Sequence, residues 1–213
     1  SRARQTGARK LEKALVRALA ELNMPQTRFS VAIEREPAEP GEGVPIAGRP
    51  YRVRAAGVDR VEFLISPNPG EDLKPLRKIA SGGEISRIML ALKSLIAKGD
   101  RIPTLVFDEI DVGIGGATAD HVGEKMARLG QTHQILCITH LPQIAAKART
   151  HFAVEKKIVA GRAETRVRRL GPTERPAELA RLFEGIQVTE LGRRRAAKMI
   201  RQAKDNSGSQ RRR

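Results

Sequence analysis

The middle of the chain has the clearest pattern of apolar and polar segments. Residues 104–107 and 134–138 are continuous apolar runs, which are typical of strands buried on both faces of a sheet. Residues 117–129 between them have the spacing of an amphipathic helix. Together the three segments predict a βαβ unit with parallel strands, because parallel strands need a long crossover connection. Residues 85–97 predict another apolar helix directly before this unit.

The N-terminal third has a different pattern. Residues 1–24 place leucines at helical spacing and predict a helix, which is either an ordinary packed helix or the end of a coiled coil. Residues 27–36 alternate with period two and predict a half-buried strand. Residues 51–55 and 61–66 alternate on either side of a short turn, and this pattern predicts a hairpin.

The remaining segments complete the predicted fold. Residues 152–159 and 164–170 predict a second hairpin, residues 178–183 a short helix and residues 188–203 a final helix. We therefore expect an α/β fold with a largely parallel sheet flanked by helices and with antiparallel strands at the edges.

Composition adds a strong positive charge to this picture. The 213 residues include 40 Lys and Arg against 24 Asp and Glu, which gives a formal net charge of +16. This surplus favours contact with polyanions such as nucleic acid, although a solvated basic surface has the same composition. Aromatic residues make up only 3%, so we expect any DNA contact to be to phosphates and not by base stacking.

Two further observations exclude other classes of protein. The single cysteine, Cys137, lies in an apolar run, and we interpret it as a small buried hydrophobe without a catalytic role. No apolar run approaches the ~18 residues that a membrane-spanning helix needs, and no signal peptide is evident. We therefore expect no membrane partner.

A glycine-containing loop precedes the helix predicted over residues 85–97. It consists of Ser81, Gly82, Gly83 and Glu84. Glycines let a ligand approach the backbone closely, and the N–H groups and partial positive charge at a helix start suit a phosphate. A serine followed by glutamate three positions later is also an ordinary capping box, so a purely structural interpretation stays open.

Two carboxylates, Asp108 and Glu109, directly follow the first buried strand. In α/β proteins ligands bind at the carboxyl edge of the sheet. Asp108 is therefore a candidate to hold Mg²⁺ through water, because magnesium keeps several waters and takes few carboxylates. Glu109 is a candidate to orient or deprotonate an attacking water. Two acids at a strand end are also common in proteins where they have no such function.

His140 follows the second buried strand, after Thr139. If the two strands are neighbours, His140 emerges at the same edge as Asp108 and Glu109. A histidine there can hydrogen-bond a terminal phosphate, whereas a loop histidine without function is the alternative. The loop, the acids and the histidine occur in this order with a glycine-rich turn over residues 111–116, and this order favours a nucleotide site over unrelated features.

These motifs together resemble the RecN family, bacterial DNA-repair relatives of the SMC proteins. The stretches that carry the resemblance are Ser81–Glu84, Val106–Gly116 and Thr139–Ala145. The resemblance spans roughly residues 1–200. It implies an SMC-like, ABC-type ATPase head that binds ATP and Mg²⁺ and acts in recombinational repair of DNA double-strand breaks, within the SOS response, in the cytoplasm at the nucleoid.

The resemblance also implies a role for each motif. Residues 81–84 correspond to the ABC signature, which reaches the ATP γ-phosphate held by a second head. Asp108 and Glu109 correspond to Walker B, with Asp108 on magnesium and Glu109 as the catalytic carboxylate. Asp111 belongs to the D-loop, which faces the partner head, and His140 is the switch histidine. The implied partners are an N-terminal Walker A lobe, a second head in an ATP-dependent homodimer, and DNA.

The predicted domain division follows the same resemblance. Residues 1–24 are the end of a coiled-coil arm, 25–185 the C-terminal lobe of the head, 186–204 a C-terminal helix and 205–213 a basic disordered tail.

One departure from the family pattern is large. The 213 residues contain no Gly-x-x-x-x-Gly-Lys-Ser/Thr loop, which in the family belongs to the N-terminal lobe. We therefore expect this chain alone not to hydrolyse ATP. Two alternatives remain: a fragment of an ABC transporter's nucleotide-binding domain, and a non-enzymatic basic module that binds DNA. An ATPase head whose basic tail, residues 193–213, contacts DNA combines the two ideas of a head and a DNA-binding surface.

Overall fold

The computed structural model describes residues 1–97, 99–159 and 161–209. The chain divides into two compact units, Ser1–Leu95 and Ile96–Arg213, and each is described by itself. Both units contain helices and strands, which confirms the α/β class. No helix in the described ranges has the length and apolar character needed to cross a membrane.

The first unit combines two helices with antiparallel strands. Its elements, in chain order, are α1 (Arg2–Ala20), β1 (Arg28–Arg35), β2 (Val44–Ile46), β3 (Arg49–Tyr51), β4 (Asp59–Ser66), β5 (Lys74–Pro75), a 3-10 turn (Leu76–Lys78) and α2 (Gly82–Ile96). The α1 helix packs on β1 and buries Leu15 and Leu19 completely. Arg4 of α1 also forms an ion pair with the buried Asp59 at 3.0 Å, so a charged contact reinforces this apolar one.

Strand pairing in the first unit differs from the prediction. The predicted strand at 27–36 is confirmed as β1, but the predicted hairpin of 51–55 with 61–66 is wrong. Instead β4 pairs antiparallel with β1 along its whole length, from Arg28 opposite Ser66 to Arg35 opposite Asp59. The eight-residue partner satisfies the ladder of β4 more completely than a short local strand would.

A short hairpin takes the place of the predicted one. It joins β2 to β3 through Ala47 and Gly48, whose φ angles are +50° and +81°. Positive φ at both central positions is the signature of a type I′ turn, which matches the twist of the flanking strands. This turn lies within residues 37–50, a stretch rich in proline and glycine.

The second unit contains the predicted βαβ motif. Its elements, in chain order, are β6 (Thr104–Phe107), α3 (Gly116–Leu129), β7 (Gln134–Cys137), α4 (Pro142–Ala145), β8 (Phe152–Val159), β9 (Arg162–Arg169), α5 (Arg175–Glu184) and α6 (Glu190–Ser209). β6 and β7 are parallel, with Phe107 opposite Cys137, and they are the parallel part of the fold. β8 and β9 form the predicted late hairpin.

The parallel pair is open on one face. Leu105 and Phe107 are buried, but on the other face Val106, Leu136 and Ile138 are 66%, 48% and 62% exposed. The prediction that these strands are buried on both faces is therefore wrong for the described chain. The residues are apolar enough for burial, and the described part of the second unit leaves that face uncovered.

The end of the chain packs as a helical layer. The last three helices share a core, which consists of Ala145, Ala146, Leu179, Ala180, Ala196 and Ile200. α6 continues to Ser209, past the predicted helix end at 203 and domain limit at 204, so the predicted disordered tail begins too early. Residues 210–213 of that tail lie outside the described residues. The assignment of residues 1–24 to a coiled-coil arm stays a prediction.

Candidate functional site

The serine–glycine loop forms the start of α2. Ser81 is exposed, and its Oγ accepts a hydrogen bond from the backbone N–H of Glu84 at 3.4 Å. Ser81 therefore caps the helix, as the structural interpretation of the loop requires. The first turn of an α-helix also presents N–H groups without intrahelical partners. The same geometry thus suits an anion, and capping does not exclude this second use.

Asp108 and Glu109 lie where β6 ends, and both are exposed. The carboxylate of Asp108 accepts a hydrogen bond from the backbone N–H of Glu109 at 2.9 Å, which fixes the first turn after the strand. Among the described residues no group of three or more metal-ligating side chains occurs. A single exposed carboxylate nevertheless fits magnesium, which keeps most of its water ligands and needs only one or two carboxylates.

Glu109 adopts an unusual backbone conformation. Its φ angle is +56°, in the left-handed region that non-glycine residues rarely enter. Residues held in this region cluster at functional sites, and the strain costs about 1–3 kcal/mol. The turn leaves Glu109 exposed and sends the next residue, Ile110, into the core with no exposed surface. Burial of Ile110 is the contact that offsets the strain.

Asp111 and His140 meet at the carboxyl edge of the parallel pair. Ile138 donates its N–H to the carbonyl of Phe107 at 3.0 Å, which extends the β6–β7 ladder toward this edge. Nδ1 of His140 then lies 3.0 Å from Oδ2 of Asp111. The predicted position of His140 beside the acidic turn is thus the observed one.

The carboxylate of Asp111 is the centre of this edge. Its side chain is only 5% exposed, whereas that of His140 is 71% exposed. Oδ2 accepts hydrogen bonds from the hydroxyl of Thr139 at 2.5 Å and from the backbone N–H of His140 at 2.9 Å. The Thr139 hydroxyl in turn accepts a hydrogen bond from the N–H of Leu141 at 3.0 Å. Every one of these contacts lies within the chain, although Asp111 was predicted to face a partner.

The rest of the turn is open. Val112 is 54% exposed, and Gly113 has a φ of +72° that suits glycine. Within residues 111–113, the predicted D-loop, Val112 and Gly113 are therefore exposed, whereas Asp111 is buried. Sequence reasoning missed the bonding of Thr139, and the only signal for it was a hydroxyl residue directly before the histidine.

Cys137 lies at the end of β7, near this edge. Burial, together with the negative charges of Asp111 and Asp108, raises the pKa of its thiol to about 12. A thiol with such a pKa stays protonated at neutral pH and is a poor nucleophile. This supports the interpretation of Cys137 as a packing residue.

A buried arginine holds the segment that follows His140. Nη2 of Arg175 donates hydrogen bonds to the carbonyls of Ala145, Ala146 and Ala148 at 3.1, 3.2 and 2.6 Å. These carbonyls lie at and just beyond the end of α4, where backbone acceptors lack helical partners. Arg175 therefore holds the backbone of residues 145–148, which follows His140 in the chain.

Comparison with known proteins identifies relatives of the whole chain. A DNA repair protein RecN from Bacillus subtilis is 41% identical over 204 residues, which cover 95% of this chain and 35% of the relative. A DNA repair protein RecN from Xylella fastidiosa is 46% identical over 149 residues, which cover 70% of this chain and 27% of the relative. The chain is homologous to RecN. It spans about a third of the length of these RecN relatives.

The fold agrees with this homology to RecN. A solved Smc head domain with a coiled coil and joint, from Pyrococcus yayanosii, superposes with a TM-score of 0.50 at 21% identity. The match covers 95% of this chain and 30% of the Smc structure. The RecN-homologous chain therefore has the fold of part of an SMC head. No protein-family model matches it.

Proposed function

We propose that the chain is the C-terminal lobe of a RecN-type ATPase head. The observation that carries this proposal is the carboxyl edge of the parallel pair, where the exposed Asp108 and Glu109 share an edge with His140. Strand ends of this kind are where α/β proteins bind nucleotides. RecN homology of nearly the whole chain supports this over the transporter alternative.

The catalytic roles follow from the chemistry of each group. Magnesium, when bound, neutralises charge on the β- and γ-phosphates, and the carboxylate of Asp108 is placed to hold one of its waters. Glu109 orients the attacking water and accepts its proton. His140 is exposed enough for its ring to reach a terminal phosphate. All three lie at one edge, so no large rearrangement within this unit is needed.

A second segment must supply what this chain lacks. The sequence has no phosphate-cradling loop with its lysine, so ATP has no binding loop here for its β- and γ-phosphates. The apolar face of Val106, Leu136 and Ile138 is exposed and is suited to pack against another layer. We propose that the N-terminal Walker A lobe of the same protein covers this face, and that this chain alone does not hydrolyse ATP.

Ser81–Glu84 serve a different nucleotide in this proposal. The start of α2 contacts the γ-phosphate of ATP bound by a second head, so that ATP joins two heads into a homodimer. Hydrolysis at Glu109 then releases them. The assembled protein acts in DNA double-strand-break repair, at the nucleoid in the cytoplasm, as the RecN relatives' role in DNA repair suggests.

ATP-dependent association of the full-length protein tests this proposal. We expect Glu109→Gln to trap dimers in ATP and Ser81→Arg to abolish them, as measured by light scattering. Glu164→Gln repeats the first change and Gln131→Arg introduces the same arginine, both at exposed positions away from the motifs, and both variants are expected to behave as wild type. Dimers that form equally well in all four variants would refute the proposed sandwich.

DNA contact through α6 is a second proposal, and a specific observation favours it. α6 turns Ala196 and Ile200 into the core, and its basic side chains are exposed. These are Arg193, Arg194, Arg195, Lys198, Arg201 and Lys204. Arg194, Lys198 and Arg201 are spaced four and three residues apart, so they lie on one side of the helix, opposite its buried face.

Salt dependence of DNA binding tests this surface. Replacing Arg194, Lys198 and Arg201 by glutamine is expected to lower the slope of log affinity against log salt by about 3, at 0.9 per phosphate contact. The matched control removes three exposed charges from α1, at Arg9, Lys10 and Lys13. Equal losses in the two triple variants would mean that overall charge, and not α6, binds DNA.

A further inference from the structure

We propose that Asp111 is a positioning residue that fixes the tautomer and orientation of His140. The proposal rests on the nucleotide site described above and adds a residue to it. It also changes the role of Asp111, which the sequence pattern assigned to contact with a partner head. The argument depends on how the carboxylate of Asp111 is bonded.

Donor groups converge on one oxygen of this carboxylate. Oδ2 accepts hydrogen bonds from the hydroxyl of Thr139 and from the backbone N–H of His140. Nδ1 of the His140 ring lies 3.0 Å from the same oxygen. An ionised carboxylate is only an acceptor, so a ring nitrogen at this distance must carry a proton to bond it. The neutral ring is then protonated at Nδ1, and Nε2 keeps its lone pair.

The surroundings make this arrangement rigid. The Asp111 side chain is nearly inaccessible to water, whereas the His140 ring is largely exposed. The backbone N–H of His140 bonds Oδ2 of Asp111, and Nδ1 of the same residue lies 3.0 Å from that oxygen, so both the main chain and the ring of His140 lie against the carboxylate. Thr139 adds to these contacts, because its hydroxyl donates a hydrogen bond to Asp111 and accepts one from the N–H of Leu141.

The consequence is a ring that presents Nε2 outward at the carboxyl edge before any nucleotide binds. Fixing the ring in advance removes the need to order it during the reaction, which is how supporting residues usually contribute to catalysis. Asp111 itself touches no phosphate in this role. Its removal therefore affects turnover more than ATP affinity.

Nitrogen NMR of the His140 ring tests the proposal without any ATPase assay. In the isotope-labelled 213-residue chain at about pH 8.5, where histidine is ordinarily neutral, we expect the Nδ1–H form to dominate. Asp111→Asn removes the charge at constant shape, and the ring is expected to shift to a mixture of tautomers. The matched control is Asp100→Asn, which changes a carboxylate 4.0 Å from the buried His133 and is expected to leave His140 unchanged.

A functional measurement completes the test. In the full-length protein Asp111→Asn is expected to lower kcat for ATP about 10- to 100-fold with little change in KM, the usual cost of removing a supporting residue. An Nε2–H ring in the wild-type chain would overturn the proposal, as would an Asp111→Asn chain with an unaltered tautomer. If that variant does not fold, the wild-type tautomer alone decides. Full turnover by Glu109→Gln would instead refute the ATPase assignment and leave the tautomer result standing.

Discussion

The loop at Ser81–Glu84 and the sheet edge at Asp108–Asp111 were both visible in the sequence, but they are built differently. The loop is an exposed helix start whose serine hydroxyl accepts one long hydrogen bond, at 3.4 Å. The edge is organised by the buried Asp111 carboxylate, which two donors bond at 2.9 Å or less. The edge is therefore ordered by hydrogen bonds within its own chain, whereas the loop is an exposed helix start with one weak cap.

This difference bears on how a composite nucleotide site can work. In the proposed site, residues that perform chemistry need fixed geometry, which the backbone conformation of Glu109 and the contacts of His140 with Asp111 would provide. A loop that acts on a partner's nucleotide needs only accessible N–H groups and space for a close approach. The two regions thus have the properties expected of a catalytic side and a docking side.

The largest loss of stability is expected from replacing Arg175, which bonds the backbone that follows His140. Arg175→Ala removes the buried donor that bonds the carbonyls of Ala145, Ala146 and Ala148, so we expect the free energy of unfolding to fall by about 2–3 kcal/mol. Urea unfolding measures the loss. Arg149→Ala, at an exposed position near the same segment, is the control and is expected to cost less than about 0.5 kcal/mol. Equal losses would show that Arg175 anchors nothing.

Removing the cap of the loop is expected to cost less. Ser81→Ala deletes the hydroxyl that caps α2, and the expected loss is about 0.5–1 kcal/mol because the bond is long and exposed. The same urea titration reports it. A loss as large as that of Arg175→Ala would mean that the loop is as tightly built as the edge, and the comparison would fail.

The smallest expected effect on stability is that of acid, which acts through His151 in the second unit. Burial lowers the pKa of His151 below 6.5, and the positive charge of Arg175 lowers it further. Between the lowered value and 6.5 the unfolded chain binds more protons than the folded one, so stability falls as the pH drops through this window. We expect His151→Gln to lose less stability than wild type over that range.

An exposed histidine provides the control for this acid effect. His121→Gln is expected to follow the wild-type pH dependence. If His151→Gln also followed it, then the buried imidazole would not be the group that links stability to pH.

Some of the site followed from the sequence, and some did not. The βαβ unit was predictable because its apolar runs and helical spacing are local, and parallel strands bring the residues after both strands to one edge. The pairing of 59–66 with 28–35 was not, because a nearby turn favoured a local hairpin and period-two alternation does not specify a partner. Burial of Asp111 was equally hidden, since an aspartate in a glycine-rich turn is ordinarily solvated.

The central claim is that Ser81 and Glu109 work together only across two heads. Full-length Ser81→Arg and Glu109→Gln proteins, each inactive alone, are mixed in equal amounts and assayed for ATP hydrolysis. A dimer that contains one of each variant has one intact site of its two, so we expect the mixture to hydrolyse ATP although neither variant does so alone. A mixture as inactive as the separate variants would contradict the account, because it would place both residues in the site of a single head.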